Sequence, residues 1–121
     1  MTAPAPAPVP RRIQLSRAKG WRMPENTVRV DRATAWGNPF KVGRDGNAQR
    51  CVELVSHTLA GVLPVLPSPT VEDLRAYRDH VLANVAGLRG KNLACWCKPG
   101  AHCHADVLLD MANRPTCEVV S

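Results

Sequence analysis

A short apolar run, KNLACWC at residues 91–97, emerges from a turn at Gly90 and lies between two segments with helical periodicity. Such a run is typical of a central strand that is buried on both faces. A buried strand between amphipathic helices predicts a layered α/β fold with a short central sheet. In open α/β sheets, ligands bind beyond the carboxyl ends of the strands, so a site is expected directly after this run.

Three helices are indicated by apolar residues that recur at steps of three and four. The first begins at Ala48, and its apolar stripe continues to Val62 and Leu63. The second begins after Thr70, whose hydroxyl can cap the free amides while Asp73 completes a capping box. The last runs over residues 103–113 and is ended by a proline. About three helices are therefore expected around the sheet.

Two further strands are predicted before the helices, because RRIQLSR at residues 11–17 and TVRVDR at residues 27–32 alternate apolar and polar side chains. The Ala-Pro alternation of residues 1–10 carries nothing to bury and predicts a disordered tail. The chain of 121 residues is too short for two ordinary domains. We expect one α/β domain over residues 11–114 and a C-terminal tail over residues 115–121.

The number of cysteines and the hydropathy of the chain indicate the cellular compartment in which the protein is expected. The chain has five cysteines, an odd number, and three of them lie within ten positions, which fits reduced thiols better than a disulfide framework. No apolar stretch is long enough to span a bilayer, and the Ala-Pro start lacks the apolar core of a signal peptide. A cytoplasmic protein without a membrane partner is expected. The sequence does not indicate the oligomeric state.

The formal net charge of +6 is unevenly distributed along the chain. Residues 11–50 contain ten Lys or Arg against three acids, whereas the rest of the chain is close to neutral. An electropositive face is expected to favour phosphate-bearing ligands or nucleic acid. A solvated basic surface without a partner is the alternative.

The segment CWCKPGAHCH at residues 95–104 joins the predicted central strand to the last helix. Two positions apart on a strand, Cys95 and Cys97 point to one face, and Trp96 points to the other. Cys103 and His104 open the helix, where free amides and the helix dipole stabilise a thiolate and lower the pKa of a cysteine. Cys103 and His104 are therefore the candidate catalytic pair, and Cys97 is a candidate ligand-binding residue.

The same segment offers ligands for zinc. Cys95, Cys97 and Cys103 with either His104 or His102 would supply four donors of the types that zinc prefers. The spacing differs from the common two-residue knuckle, and a free cysteine is often simply a small buried apolar residue. A zinc site, a reactive thiol and a purely structural turn all remain open from the residues alone.

The loop WGNPF at residues 36–40 combines aromatic, amide and glycine positions after a strand. Trp36 could stack on a ring, Gly37 allows close approach of a ligand, and Asn38 can read a hydrogen-bonding edge. Arg32 and Lys41 flank the loop and could hold a phosphate. The alternative is that the rings plug the edge of the core and that Asn38 starts a turn.

The segments RIQLSR, VRVDRATAWGNPF, LRGKNLACWC and CHADVLLDMAN, in this order, closely resemble the domain of unknown function 4326, whose hallmark motifs are NPF and CWC. The resemblance covers nearly all of residues 11–113 and implies a phage or bacterial protein of uncharacterised activity. LACWCKPGAHCHADVL is also similar to a segment of the domain of unknown function 488. There Cys95, Cys103 and His104 match, whereas Cys97 stands where that family has Glu. Both resemblances imply a small Rossmann-like layered fold.

Two functions from different classes follow. The first is an enzyme or sensor that binds or processes a nucleotide, nucleoside or related phosphate-bearing small molecule between the WGNPF loop and the start of the last helix. The second is a non-catalytic nucleic-acid- or protein-binding module of phage or mobile-element origin, stabilised by zinc, whose nucleic-acid affinity would fall steeply with salt. Metal content separates the two, since a zinc-dependent fold would make the cysteines structural ligands.

Overall fold

A computed structural model describes residues 9–98 and 100–114. The predicted tails at residues 1–8 and 115–121, with Cys117, lie outside the described residues. Three short strands and three α-helices form the fold, together with a 3₁₀ turn at Val85–Leu88. The elements are β1 (Arg12–Gln14), β2 (Thr27–Arg29), α1 (Ala48–Leu59), α2 (Val71–Asn84), β3 (Asn92–Cys95) and α3 (His104–Asn113).

The sheet is parallel, with strand order β1-β3-β2, so the last strand in sequence is the central one. Leu93 of β3 pairs with Arg12 on one side and with Val28 on the other. Because β3 has a strand at each edge and packs against α3, Leu93, Ala94 and Cys95 are buried. The predicted central strand and the small α/β fold are confirmed.

Two of the three helices begin with a side-chain cap. At α1, the Asn47 side chain accepts a hydrogen bond from the Arg50 amide at 2.8 Å. At α2, Thr70 and Asp73 form the predicted capping box, with bonds of 3.1 and 3.0 Å. Both caps satisfy amides that a helix start leaves without an intrahelical partner.

Several predicted boundaries are wrong, and β1 and β2 are both shorter than the predicted segments 11–17 and 27–32. The first helix ends at Leu59 rather than continuing through Val62, which is 64% exposed. Gly61 follows with φ of +100°, a left-handed conformation that stops the helix and that glycine adopts without steric cost. The central strand ends at Cys95, so the chain already bends at Trp96 and Cys97.

The core lies between the sheet and the three helices and is mostly aliphatic. Phe40 is fully buried in it, as the structural interpretation of the WGNPF loop allows. The largest fully buried side chains include Phe40, Leu74, Leu93, Leu108, Val30, Val55 and Val81. None of the helices in the described part of the chain has both the length and the apolar character needed to cross a membrane.

Candidate functional site

A pocket of about 510 Å³ opens at the carboxyl ends of the three strands, which we call the carboxyl edge. Each strand contributes lining residues from the segment that follows it. Arg17 follows β1, Asp31 and Arg32 follow β2, and Trp96 and Cys97 follow β3. The start of α3 closes the floor of the pocket with Cys103 and His104. The pocket therefore lies where the order of a parallel sheet brings strand ends together.

Three cysteines meet on the floor of this pocket. The sulfur atoms of Cys95, Cys97 and Cys103 all lie within 4.8 Å of one another, and we call them the cysteine cluster. The Cys95 and Cys103 sulfurs are 3.2 Å apart and buried, whereas Cys97 is half-buried. Local folding explains the convergence, because Cys95 ends the strand, Cys97 follows the bend and Cys103 caps α3.

Ionisation within the cluster differs from the sequence-based expectation. The hydrogen bond with Cys95, the hydrogen bond with Cys97 and burial all raise the pKa of the Cys103 thiol. The direction expected from the helix dipole alone was therefore wrong. Hydrogen bonds from Cys103 and Cys95 lower the pKa of Cys97, and the charge of Arg12 adds to the effect. Contact with the other two sulfurs therefore favours the thiolate form of Cys97 and the thiol form of Cys103.

His104 is buried and fixed by the backbone. Its Nε2 lies 2.7 Å from the Val30 carbonyl oxygen, which can only accept, so Nε2 carries the proton. Burial lowers the pKa of His104 and favours this neutral form. The unprotonated Nδ1 lies 3.8 Å from the Cys103 sulfur, so the predicted pair is adjacent in space. His102 also lines the pocket, but it is exposed.

A chain of side chains that sequence reasoning missed forms one wall of the pocket. Trp96 donates from Nε1 to Asp31 Oδ2 at 3.1 Å, and Arg29 donates to both Asp31 oxygens at 3.2 and 2.7 Å. The Arg17 guanidinium lies over the Trp96 ring, 4.3 Å from its centroid. Burial acts to raise the pKa of Asp31, but the hydrogen bonds from Arg29 and Trp96 outweigh it and lower the pKa. The sequence indicated this wall only through the positions of its residues, because all four lie in or just after a predicted strand.

Arg32 and Asn38 also line the pocket, and both brace the loop around it. The Arg32 guanidinium donates to the carbonyl oxygen of Asn38 and, at 2.7 Å, to that of Phe40. The Asn38 side-chain oxygen accepts from the Phe40 amide at 2.8 Å. Arg32 thus holds the WGNPF loop to the end of β2.

The other three predicted ligand-binding positions of this loop are not among the residues that line the pocket. Trp36 packs edge-on against His80 of α2, with ring centroids 4.6 Å apart. Gly37 lies so close to the chain after β2 that a Cβ there would be 2.5 Å from the Arg32 Cα. Lys41 is exposed, and its amide donates to Asp45. The close approach at Gly37 is to the protein's own backbone.

The cysteine cluster has the chemistry of a metal site. Thiolates are soft ligands that select zinc, copper(I) and iron–sulfur centres. Zn–S bonds of about 2.3 Å place the sulfurs of a tetrahedral site about 3.8 Å apart, a separation that the cluster approaches. The three cysteines could therefore hold a metal ion with small side-chain adjustments.

Comparisons with known proteins give a family and no characterised relative. The family model described as "Domain of unknown function (DUF4326)" matches residues 13–114. No curated protein matches the chain. No solved structure matches it either. The resemblance read from the NPF and CWC motifs is confirmed over most of the chain.

Proposed function

Because the chain belongs to the family of the domain of unknown function 4326, whose description names no chemistry, its function must be inferred from the site, and we propose a metal-bearing small-molecule pocket. In this proposal, Cys95, Cys97 and Cys103 hold a zinc ion on the pocket floor. A nucleotide or a related phosphate-bearing small molecule binds in front of it. The observation that carries the proposal is the convergence of three sulfurs at the base of an open pocket.

Zinc fits the donor set best, because it combines a preference for thiolate with tetrahedral geometry. Three protein ligands leave a fourth position, and its occupant decides the kind of site. A water or ligand atom there gives an open site suited to catalysis, whereas a fourth protein donor gives a closed, structural one. His104 is the nearest candidate for a fourth protein donor, since its Nε2 is bonded to Val30 and its Nδ1 lies 3.8 Å from the Cys103 sulfur.

The charge and size of the pocket support the ligand class. Arg17, Arg29 and Arg32 line the walls against a single carboxylate, Asp31. A volume of about 510 Å³ falls within the range of roughly 300–1,000 Å³ that small-molecule sites occupy. Guanidinium groups suit phosphate because they donate in a planar fork. The four described cysteines are free thiols, which fits the reducing cytoplasm, and we include that compartment in the proposal.

Metal content of the purified protein tests the first half of the proposal. We expect about one zinc per chain, released by a strong chelator, and we expect Cys97→Ser to lose most of it. Cys51→Ala is the matched control, because Cys51 is a buried thiol that lines the same pocket outside the cluster. Metal-free protein, or equal zinc in both variants, would overturn the metal site.

Calorimetric titration tests the second half. Nucleoside monophosphates, ribose 5-phosphate and inorganic phosphate are titrated into the metal-loaded protein at two salt concentrations. Saturable binding of at least one phosphate compound at one per chain, weaker at high salt, supports the ligand class. Failure of every phosphate compound, together with salt-dependent binding of DNA or RNA, would instead favour a nucleic-acid-binding module.

A further inference from the structure

We infer that Trp96 is a fixed stacking platform and that the ligand of this pocket carries a planar nucleobase seated on the Trp96 indole. The inference rests on the proposed function, because it specifies which phosphate-bearing molecule the pocket takes. It assigns recognition of the ring to the side chain between two cysteines of the cluster. The WGNPF loop, whose Trp36 packs against His80, then has a structural role and does not bind the ring of the ligand.

Trp96 is exposed and yet held in one orientation. The residue is 39% exposed at the pocket, so packing in the core does not account for a side chain of this size. Its Nε1 donates to Asp31 Oδ2 at 3.1 Å, and Asp31 is in turn held by two bonds from Arg29. A ring fixed at its polar edge presents a flat face to the pocket at little entropic cost.

The face of the Trp96 indole is already covered by a flat group, the guanidinium of Arg17. The Arg17 guanidinium, a flat delocalised cation, lies 4.3 Å from the ring centroid. Guanidinium groups and nucleobases stack on the same aromatic surfaces. Arg17 is exposed, so it can leave the indole face without disturbing the core. A base that replaces it there would free a guanidinium to donate to the phosphate of the same ligand.

Trp96 is also close in sequence to the cysteine cluster. Trp96 lies between Cys95 and Cys97, and all three residues line one pocket. A ring stacked on Trp96 is therefore held beside the cluster rather than at a remote surface. A bare sugar phosphate would use the guanidinium groups but would leave the indole face without a planar partner.

Calorimetric titration of four ligands separates the ring from the phosphate: AMP, CMP, adenosine and ribose 5-phosphate. In the wild-type protein, AMP or CMP should bind at least ten-fold more tightly than ribose 5-phosphate. Trp96→Ala should weaken binding of the nucleotide about ten-fold to a hundred-fold, which is the range that stacking of one base produces. The same variant should leave ribose 5-phosphate within about two-fold, since phosphate contacts do not depend on stacking.

Two variants control this measurement. Trp96→Phe keeps a ring but removes the bond to Asp31, so it should fall between the wild type and Trp96→Ala. Trp36→Phe changes a tryptophan that packs on His80 and should bind all four ligands as the wild type does. Zinc content should be unchanged in all three variants, because tryptophan is not a ligand.

The outcomes distinguish the inference from the proposed function. Nucleotides that bind no more tightly than ribose 5-phosphate, or that bind Trp96→Ala as tightly as the wild type, would overturn the inference and leave the phosphate pocket standing. Absence of zinc and of ribose 5-phosphate binding, with Trp96-dependent binding of adenosine, would overturn the proposed function and support the platform. Absence of all binding would overturn both.

Discussion

The helical layer and the carboxyl edge of the sheet bury different kinds of side chain. The helical layer is filled mainly by aliphatic residues such as Leu74, Val81 and Leu108, and it also encloses the Tyr77 ring, whose hydroxyl has no hydrogen-bond partner among the described residues. Besides Tyr77, four polar or charged residues are buried within the described chain, and three of them, Asp31, Asn38 and His104, line the pocket. Thr58, the fourth, bonds to the backbone of its own helix.

This difference in buried side chains indicates that the two regions have different roles. Burial of a polar group costs free energy unless it is hydrogen-bonded, and a core of this size can be filled without any such group. At the carboxyl edge, each of the three has a partner: Arg29 and Trp96 for Asp31, Phe40 for Asn38, and Val30 for His104. Burial of aliphatic side chains in the helical layer stabilises the fold. Part of this stability offsets the cost of holding buried polar groups in fixed positions at the carboxyl edge.

Leu74→Ala should have the largest effect on stability, and it should leave the metal site at the carboxyl edge unchanged. Loss of a fully buried leucine side chain should lower the free energy of unfolding by about 2–5 kcal/mol, through lost burial and a residual cavity. Urea unfolding measures this change, and metal analysis of the folded fraction should give the same zinc content as the wild type. A loss below about 1 kcal/mol, or a loss of zinc from folded protein, would break the separation between the two regions.

Asp31→Asn should have the next largest effect, and it should depend on pH. Replacing the carboxylate removes charge-assisted bonds from Arg29 and Trp96, and we expect a loss of about 1.5–3 kcal/mol at pH 7. The pKa of Asp31 is lowered in the folded state, so its contribution is complete above the unfolded pKa of about 3.9. The contribution is lost as the pH falls through the folded pKa, and the difference between variant and wild type should shrink accordingly.

Urea unfolding at pH 7 and at about pH 3 measures this dependence. Asp110→Asn is the control, because Asp110 pairs with Arg114 on an exposed helix face, where the expected loss is below about 1 kcal/mol. A loss in Asp31→Asn that is equal at both pH values would show that the charge of Asp31 does not stabilise this wall.

Thr70→Ala should have the smallest effect and should again leave the site unchanged. It removes the capping bond to the Asp73 amide at the start of α2, which is worth about 1 kcal/mol. Thermal unfolding should detect the shift, while zinc content and ligand binding stay at wild-type values. Altered binding would indicate that the position of α2 is coupled to the pocket.

Local patterns predicted the framework of the fold. The apolar run around Leu93 gave a central strand, and the spacing of Thr70 and Asp73 gave the helix start. The gathering of Cys95, Cys97 and Cys103 also followed from position, since a strand end and a helix start joined by a short turn are necessarily close. These features depend on neighbouring residues and are therefore visible in the sequence.

The wall of the pocket could not be predicted in this way. Arg17, Asp31 and Trp96 meet only because β1 and β2 pair with opposite sides of β3, and strand order is not encoded in local periodicity. The pKa of Cys103 was also misjudged from local information. The helix start favours a thiolate, but burial and contact with two other sulfurs reverse the direction. Long-range packing decides both features.

X-ray absorption at the zinc edge tests whether the three thiolates hold a metal ion at the floor of the pocket. We expect three sulfur neighbours at about 2.3 Å and one nitrogen or oxygen neighbour at about 2.0–2.1 Å. Cys97→Ser should reduce the sulfur signal or abolish the metal, and Cys51→Ala should leave the spectrum unchanged. A metal shell without sulfur, or protein that binds no metal when loaded with zinc, would contradict the account.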